Sequence, residues 1–432
     1  MSIGLAKKSA LTFISRSVGA VSQFGFNILV ARMLGVEGSG LYFLSFTVVI
    51  AASVIGNFGL DHSLARLVGT NWASGKAALV RGIYFQSLLI SGAASVLVSA
   101  LLVLSSDYIA NVIFDTPEMA GALGIMSLSI LPYSLAWVHA GFLKCVGRPV
   151  FAGFVEVTGI PLLAIVLVLG WSYFSKPDLV SIAYCFLSAS IAVIMIAVIG
   201  TWAKIRTLDN AEYINPKTIV LTTMPLLIVA ALDFVVTWSP SFALGVYGNA
   251  DEVGLYTAAQ RTARLTTFLL VVVVSASMAR FAEHYQKGNL NEMDILAKKI
   301  ASILFLIGLP LVIFVVMFPS LILRIFGTDF EDGGLYLQIM IIGQFVNVFT
   351  GAVAFLIILT GNGVLMRNTM VLVAVVVFIL NMTLVREYGA LGAAITTSIG
   401  IALANFINVY ILYKKVGILS FPAPVIPRSR GR

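Results

Sequence analysis

The sequence predicts an all-α protein that crosses a membrane about twelve times, in two six-helix lobes with both termini in the cytoplasm. The first supporting observation is composition: only 11% of the 432 residues are charged, 59% are apolar, and the mean hydropathy is +1.02. An ordinary soluble domain is about 25% charged, and a water-soluble fold of this length could not bury so much apolar surface. The second and third observations are regularly spaced apolar runs and an asymmetric distribution of basic residues.

The apolar runs define the spans in order. A window of about 20 apolar residues, enough to cross the hydrocarbon core, places them near 11–33, 40–60, 81–104, 119–144, 149–171, 179–202, 218–243, 254–279, 299–319, 334–360, 366–385 and 390–412. Glycine, proline, asparagine and aspartate punctuate the connections, as expected for turns at water. The first run follows Lys7 and Lys8 like a signal peptide, but it is too long for one and is interpreted as a span.

The basic residues predict the orientation. With both termini in the cytoplasm, inward segments hold 20 of the 27 lysines and arginines, whereas outward segments hold only Arg32, Lys176, Arg324 and Arg386. Membrane proteins retain basic residues in their cytoplasmic loops, so the distribution favours this orientation and an even number of spans. The basic residues are scattered between apolar runs and form no patch, which argues against a nucleic-acid partner.

Short matches at one constant offset indicate an internal repeat. The matched positions are 40–42 with 254–256, 65–66 with 279–280, and 147 with 361. Such short matches also arise by chance in an apolar sequence, and that alternative stays open. Six spans in each half would give a parallel repeat, with lobes at 1–206 and 207–432 and a substrate path between them.

Five charged residues fall inside the predicted spans: Arg16, Glu156, Asp233, Arg261 and Arg264. A charge near the bilayer centre costs a few kcal/mol, so such residues usually face a partner or a wet cavity. Arg261 and Arg264 are three residues apart on one helix and share a face with Thr257, beside Gln260. The planar fork of arginine matches phosphate oxygens, so this polar stripe is the main candidate for binding an anionic headgroup.

Each charge also has a structural interpretation. Asp233 lies at a depth similar to that of Arg264, and the two could form a buried ion pair. Arg16 is close enough to the cytoplasmic end of its span to extend its side chain to the interface. Glu156 is a candidate proton or cation site, and the alternative is a protonated, silent carboxyl.

Residues 31–35, 40–42, 59–61 and 65–66 resemble motifs of the polysaccharide transporter family, the Wzx-type O-antigen flippases of the multidrug/oligosaccharidyl-lipid/polysaccharide superfamily. The resemblance implies a fold like that of the multidrug and toxin extrusion (MATE) transporters, in a bacterial inner membrane. It also implies movement of a polyprenyl-pyrophosphate-linked oligosaccharide from the cytoplasmic to the periplasmic leaflet by alternating access, for cell-surface polysaccharide biosynthesis. The expected partners are this lipid-linked glycan, membrane lipids and other polysaccharide-assembly membrane proteins.

Two other functions are weighed against this one. A cation-coupled multidrug exporter would favour carboxylates over the three arginines found among the five intramembrane charges. A membrane enzyme would need ligands or acids collected in a large loop, but the longest connecting stretches, near 61–80 and 280–298, are modest. No nucleotide-binding glycine loop or metal-binding motif occurs, so we expect no cofactor and no metal, with H⁺ or Na⁺ as candidate coupling ions.

Overall fold

The computed structural model describes residues 3–208 and 210–423, and its regular secondary structure there is entirely helical. Eight helices are long and apolar enough to span a membrane, and two bent helix pairs each form one further span. Two of the eight are too long for one crossing. Ile14–Asn57 has 44 residues and Gly363–Val416 has 54, or roughly 66 Å and 81 Å at 1.5 Å per residue, against about 30 Å of hydrocarbon.

A glycine divides each of these two long helices. Gly35 (φ 72°, ψ −170°) and Gly389 (φ 54°, ψ −131°) have non-helical backbone angles at positive φ, where a side chain would be strained. Counting the segments on either side of each glycine separately brings the described residues to twelve spans. This is the predicted number, and Gly35 lies between the first two predicted spans.

Residues Met1–Phe234 form the first compact unit. Its helices are α1 (Ile3–Asn57), α2 (Leu60–Ala73), α3 (Ala77–Tyr108), α4 (Met119–Ser127), α5 (Ile130–Cys145), α6 (Pro149–Gly153), α7 (Gly159–Ser172) and α8 (Leu179–Ile205), with π-helical turns at Ile109–Ile113 and Phe154–Thr158. Apolar side chains of α2, α3, α5 and the end of α8 form one buried core, which includes Leu64, Val80, Phe142 and Ile205.

Residues Val235–Arg432 form the second unit. The helix α9 (Pro216–Tyr247) contributes to both units, and it is followed by α10 (Ala250–Arg264), α11 (Thr267–Gln286), α12 (Leu290–Met317), α13 (Pro319–Leu323), a 3-10 turn (Thr328–Gly333), α14 (Gly334–Phe349), α15 (Val353–Leu359), α16 (Gly363–Leu380), a π-helical turn (Asn381–Val385) and α17 (Arg386–Val416). Its core includes Phe281, Leu304, Leu356 and Leu412. The boundary between the two units falls inside α9. The repeat lobes predicted at 1–206 and 207–432 stay a prediction.

The two long connecting stretches expected near 61–80 and 280–298 are mostly helical. α2 occupies Leu60–Ala73 and α11 continues to Gln286, so only short turns precede α3 and α12. The helix α2 and the end of α11 are too polar to be recognised as spans from hydropathy, but each packs one apolar face inward. Leu64 and Phe281 are both fully buried.

Local geometry supports the internal repeat. Gly147 (φ 83°) follows α5 and Gly361 (φ 78°) follows α15, and each permits a tight turn into the next helix. In these turns the Arg148 amide donates to the Leu143 carbonyl (2.9 Å), and the Asn362 amide donates to the Ile357 carbonyl (3.0 Å). Gly147 and Gly361 are one of the matched pairs, so the offset found in the sequence joins two equivalent turns.

Candidate functional site

The helix α10 carries the two arginines of the polar stripe. It begins after Asn249, whose side-chain oxygen accepts a hydrogen bond from the Glu252 amide (2.9 Å), and Asp251 and Glu252 occupy its first turn. Arg261 and Arg264 occupy its last turn. Acids at the start and bases at the end both stabilise the helix dipole, so part of the role of these arginines is local.

α10 ends at Arg264, although the sequence predicts one continuous helix across 254–279. At the junction, the Leu265 amide donates to the Thr262 carbonyl (3.1 Å) and the Thr266 amide to the Ala263 carbonyl (3.3 Å), so the hydrogen bonds shorten to i→i+3. Threonine hydroxyls in this segment also donate to carbonyls of the preceding turn. The local break places both arginines next to a helix end inside the apolar segment 250–286.

Arg261 stacks on an aromatic ring. Its guanidinium carbon lies 4.9 Å from the ring centroid of Trp238, on α9. Cation–π contacts contribute about 0.5–2 kcal/mol and fix the plane of the guanidinium. Sequence reasoning missed Trp238, because no residue spacing connects α9 to α10.

A buried hydrogen-bond network lies one turn before Arg261. The Gln260 side-chain amide donates to the Tyr256 hydroxyl (2.9 Å) and to the Thr237 carbonyl (3.4 Å), and the Tyr256 and Thr397 hydroxyls are 2.7 Å apart. The network therefore links α9, α10 and α17, and it gives Gln260 a packing role. In the described part of the chain the buried Thr257 hydroxyl has no hydrogen-bond partner, and it lies one turn from Arg261 on the same helix.

Arg264 and Asp233 belong to different units. Arg264 is half-buried at the last residue of α10, and Asp233 is exposed in the part of α9 that belongs to the first unit. The predicted ion pair between them stays a prediction.

Glu156 lies apart from the arginines, in the π-helical turn Phe154–Thr158 of the first unit. One of its carboxylate oxygens is 2.7 Å from the Lys144 ammonium, in the last turn of α5. The second oxygen is buried and accepts no hydrogen bond from any described residue. Sequence reasoning missed Lys144, which it placed at the cytoplasmic end of a span, and the pair makes Glu156 the counter-ion of that lysine.

Arg16 is exposed on α1, within the first unit. The neighbouring Ser15 ties α1 to the following helices, because its hydroxyl donates to the Val150 carbonyl (3.3 Å) and its carbonyl accepts from the Thr158 hydroxyl (3.1 Å). The five predicted charges thus occupy separate places, and only Arg261 and Arg264 share one helix end. Across the described residues, no group of three or more histidine, cysteine or acidic side chains could hold a metal ion.

This chain matches known protein families. The family model described as "Polysaccharide biosynthesis protein" matches residues 5–284, and the MatE model matches residues 225–386. A probable low-salt glycan biosynthesis flippase, Agl15 of Haloferax volcanii, is 22% identical over 96% of this chain and 86% of its own length.

Solved structures show the same fold. The lipid II flippase MurJ in an inward closed conformation superposes with a TM-score of 0.73 at 16% identity, covering 94% of this chain and 87% of its own. An inward-facing multidrug resistance MATE transporter of the MOP superfamily superposes with a TM-score of 0.71 at 14% identity, covering 95% and 98%. The chain belongs to the polysaccharide biosynthesis protein family, and its fold is that of the MOP-superfamily transporters.

Proposed function

We propose that this multi-pass membrane protein is a flippase that moves a lipid-linked oligosaccharide from the cytoplasmic leaflet to the opposite leaflet by alternating access. The carrying observation is the pair of arginines at the end of α10, inside an apolar membrane-spanning segment, with Arg261 stacked on Trp238. The likeness to a glycan biosynthesis flippase over nearly the whole chain supports the same class of cargo.

The chemistry of the pair favours an anionic group on the cargo. An arginine near the bilayer centre costs about 2.5–3.5 kcal/mol, and charged residues at such depth commonly mark substrate pathways in membrane proteins. A pyrophosphate offers several oxygens in the geometry that guanidinium groups bind with paired hydrogen bonds. We assign Arg261 and Arg264 to the pyrophosphate, with the Thr257 hydroxyl as an additional donor one turn away.

The remaining charges are assigned to accessory roles in this proposal. Arg16, exposed on α1, attracts the headgroup towards the protein, and Asp233 and Glu156 respond to the coupling ion, H⁺ or Na⁺. Lys144 then acts as an internal cation that competes with the coupling ion for Glu156. We place the protein in the cytoplasmic membrane of a prokaryote, in polysaccharide assembly rather than in covalent catalysis.

Mass spectrometry of polyprenyl-linked intermediates tests the proposal directly. We expect a complete lipid-linked oligosaccharide to accumulate in cells lacking the gene, and wild type to clear it. The double variant Arg261→Ala with Arg264→Ala should not clear it, whereas Arg280→Ala, which removes an exposed arginine of α11, should. Clearance by the double variant would refute the arginine site.

A multidrug exporter is the second candidate, and one observation favours it: the MatE model matches residues 225–386, which include the α10 arginines. An organic cation would be repelled by those arginines, so this function would need Asp233 or Glu156 to form the binding site. If the deletion accumulates no lipid-linked oligosaccharide and instead sensitises cells to organic cations, the exporter replaces the flippase.

A further inference from the structure

A groove of about 480 Å³ lies on the surface of the first unit, between α1 and the helices α6 and α7. Five of the seven residues that line it are apolar: Val18, Val150, Phe151, Phe154 and Leu162. From Val150 to Leu162 the groove follows roughly 18 Å of helix at 1.5 Å per residue, and one leaflet contributes about 15 Å of hydrocarbon. The groove therefore has the length of one acyl chain.

The polar atoms of the groove are already used within the protein. The Ser15 hydroxyl donates to the Val150 carbonyl (3.3 Å), and the Thr158 hydroxyl donates to the Ser15 carbonyl (3.1 Å). A sugar entering this groove would lose its hydrogen bonds to water without replacing them, whereas a hydrocarbon chain needs none. The apolar Val18 and Leu162 are 46% and 38% exposed. The walls therefore suit an acyl chain rather than a glycan.

A cation stands at one end of the groove. Arg148 directly precedes α6, and its guanidinium donates to the Gly200 carbonyl on α8 (3.2 Å). A methyl group placed on Gly200 would overlap the Phe151 ring, so this wall of the groove packs directly on the same glycine. Arg148 is exposed, and among the residues that the structure describes no carboxylate forms an ion pair with it.

A second cation lies one turn further along α8. Lys204 follows Gly200 by one helical turn, and its ammonium is 5.1 Å from the ring centroid of Trp72, at the end of α2. Tryptophan and lysine are both typical of the membrane–water interface, where the lysine stem lies on apolar surface and the charge reaches the headgroups. The nearby Lys144 differs, because its ammonium is paired with Glu156 (2.7 Å). The groove thus runs from a cationic interface into the apolar part of the unit.

We propose that this groove binds one anionic phospholipid, with an acyl chain along α6 and α7 and the phosphate between Arg148 and Lys204. Basic pockets between the interfacial ends of membrane helices bind anionic lipid headgroups in this way. The positions matched to the two cations by the repeat offset are Asn362 and Ile418. The repeated fold does not require cations here, so the site belongs to the first unit alone.

Native mass spectrometry of the purified, delipidated protein tests the headgroup. We expect phosphatidylglycerol to bind about ten-fold more tightly than phosphatidylcholine with the same chains. Arg148→Gln with Lys204→Gln should weaken the binding of phosphatidylglycerol about thirty-fold. Arg66→Gln with Lys76→Gln removes the same charge from exposed positions of this unit and should weaken it less than about two-fold. Equal affinity for the two lipids, or equal loss in the two double variants, overturns the site.

Filling the groove tests the acyl chain separately. Val18→Trp should weaken the binding of long-chain phosphatidylglycerol about ten-fold and leave that of a short-chain phosphatidylglycerol unchanged. Val21→Trp, at a position on α1 that is 71% exposed and does not line the groove, is the control and should change neither. Leu162→Trp repeats the test from α7, should Val18→Trp fail to fold. Loss of affinity for both chain lengths in these two groove variants, or an unchanged affinity for the long-chain lipid, overturns the groove.

A competition experiment identifies the source of the lipid. We expect a polyprenyl phosphate to displace phosphatidylglycerol from this site only at about ten-fold higher concentration, because the groove has the length of one leaflet. Tighter binding of the polyprenyl phosphate would show that the groove holds the lipid of the cargo, and would overturn the phospholipid site. The measurement requires no transport, so the site stands or falls separately from the flippase proposal.

Discussion

The two units carry different side chains at matched positions of the same helical repeat. Tyr42 and Tyr256, a pair matched by the repeat offset, are both fully buried, so this tyrosine belongs to the repeated core. One turn later the units diverge: Phe46, Thr47 and Ile50 in the first unit stand where the second has Gln260, Arg261 and Arg264.

The first unit shows how the repeat packs without charge. Phe46 packs edge-on against Phe186, with ring centroids 5.7 Å apart, and the Thr47 hydroxyl donates to the Phe43 carbonyl of its own helix (2.8 Å). The second unit places its arginines at a broken helix end instead. The fold therefore does not require arginine at these positions, which supports the proposed binding role of the two charges.

Grafting the residues of the first unit into the second is the strongest way to break this comparison. We expect Arg261→Thr with Arg264→Ile to fold and to lose transport by about 1000-fold. Each charge-assisted hydrogen bond contributes about 1.5–3 kcal/mol, and two lost contacts give roughly 4 kcal/mol. The rate at which a fluorescent lipid-linked oligosaccharide moves between the leaflets of proteoliposomes measures transport. Transport near the wild-type rate would show that the arginines are only structural.

A second difference between the units concerns stability. Val80 lies in the core of the first unit, and the position matched to it by the repeat offset is Asp294, whose carboxylate contacts the Lys298 ammonium (2.7 Å) and accepts from the Leu419 amide (2.7 Å). We expect Asp294→Ala to lower the free energy of unfolding by about 3 kcal/mol, because it leaves the half-buried Lys298 ammonium without its carboxylate.

Thermal melting of the purified protein measures this loss. The matched control is Glu283→Ala, which removes the exposed ion pair with Lys287 on the same unit and should leave the melting temperature unchanged. Equal effects of the two substitutions would mean that the Asp294 contacts carry no special weight.

The aromatic partner of Arg261 sharpens the comparison further. Trp238 and Phe24 are also matched by the repeat offset, so the repeat keeps an aromatic residue where only the second unit adds the arginine. We expect Trp238→Leu to reduce transport about five-fold, since a cation–π contact contributes about 0.5–2 kcal/mol. Trp238→Phe should retain most of the activity. Equal loss in both variants would show that the size of the indole ring matters, rather than the presence of an aromatic π face beside Arg261.

The helical architecture and the repeat could be predicted because both depend on local sequence. Span length follows from apolar runs, and glycine at 35, 147 and 361 marks breaks that the backbone angles bear out. The helix break at 265–266 could not be predicted, since it depends on threonine hydroxyls competing for backbone carbonyls within an apolar run.

The environment of the candidate site depends on tertiary contacts and could not be predicted from the sequence. Arg261 and Arg264 stand out in the sequence because charge is rare in a membrane span. The contacts around the predicted charges do not stand out: Trp238 beside Arg261, Thr397 beside Tyr256 and Lys144 beside Glu156 are ordinary residues whose importance comes from helices packed together.

The smallest predicted effect concerns how the two units begin their last long helices. α8 starts with a capping box in which the Asp178 carboxylate accepts from the Ser181 amide (2.9 Å), whereas α17 bends at Gly389 near the equivalent position. Hydrogen bonds from the Ser181 side chain and backbone lower the pKa of Asp178, so the cap stabilises the fold above the unfolded-state pKa of about 3.9 and weakens as the pH falls below it.

We therefore expect Asp178→Ala to cost about 1 kcal/mol at pH 7 and less at pH 3, because the stability that the cap adds is lost progressively as the pH falls below the unfolded-state pKa. Urea unfolding of the two proteins in the same detergent at both pH values measures the difference. Asp178→Asn is the control, because it keeps an acceptor that does not titrate, and its stability should vary less with pH than that of wild type. A cost for Asp178→Ala that is equal at both pH values would show that the charge of Asp178 contributes nothing to the start of α8.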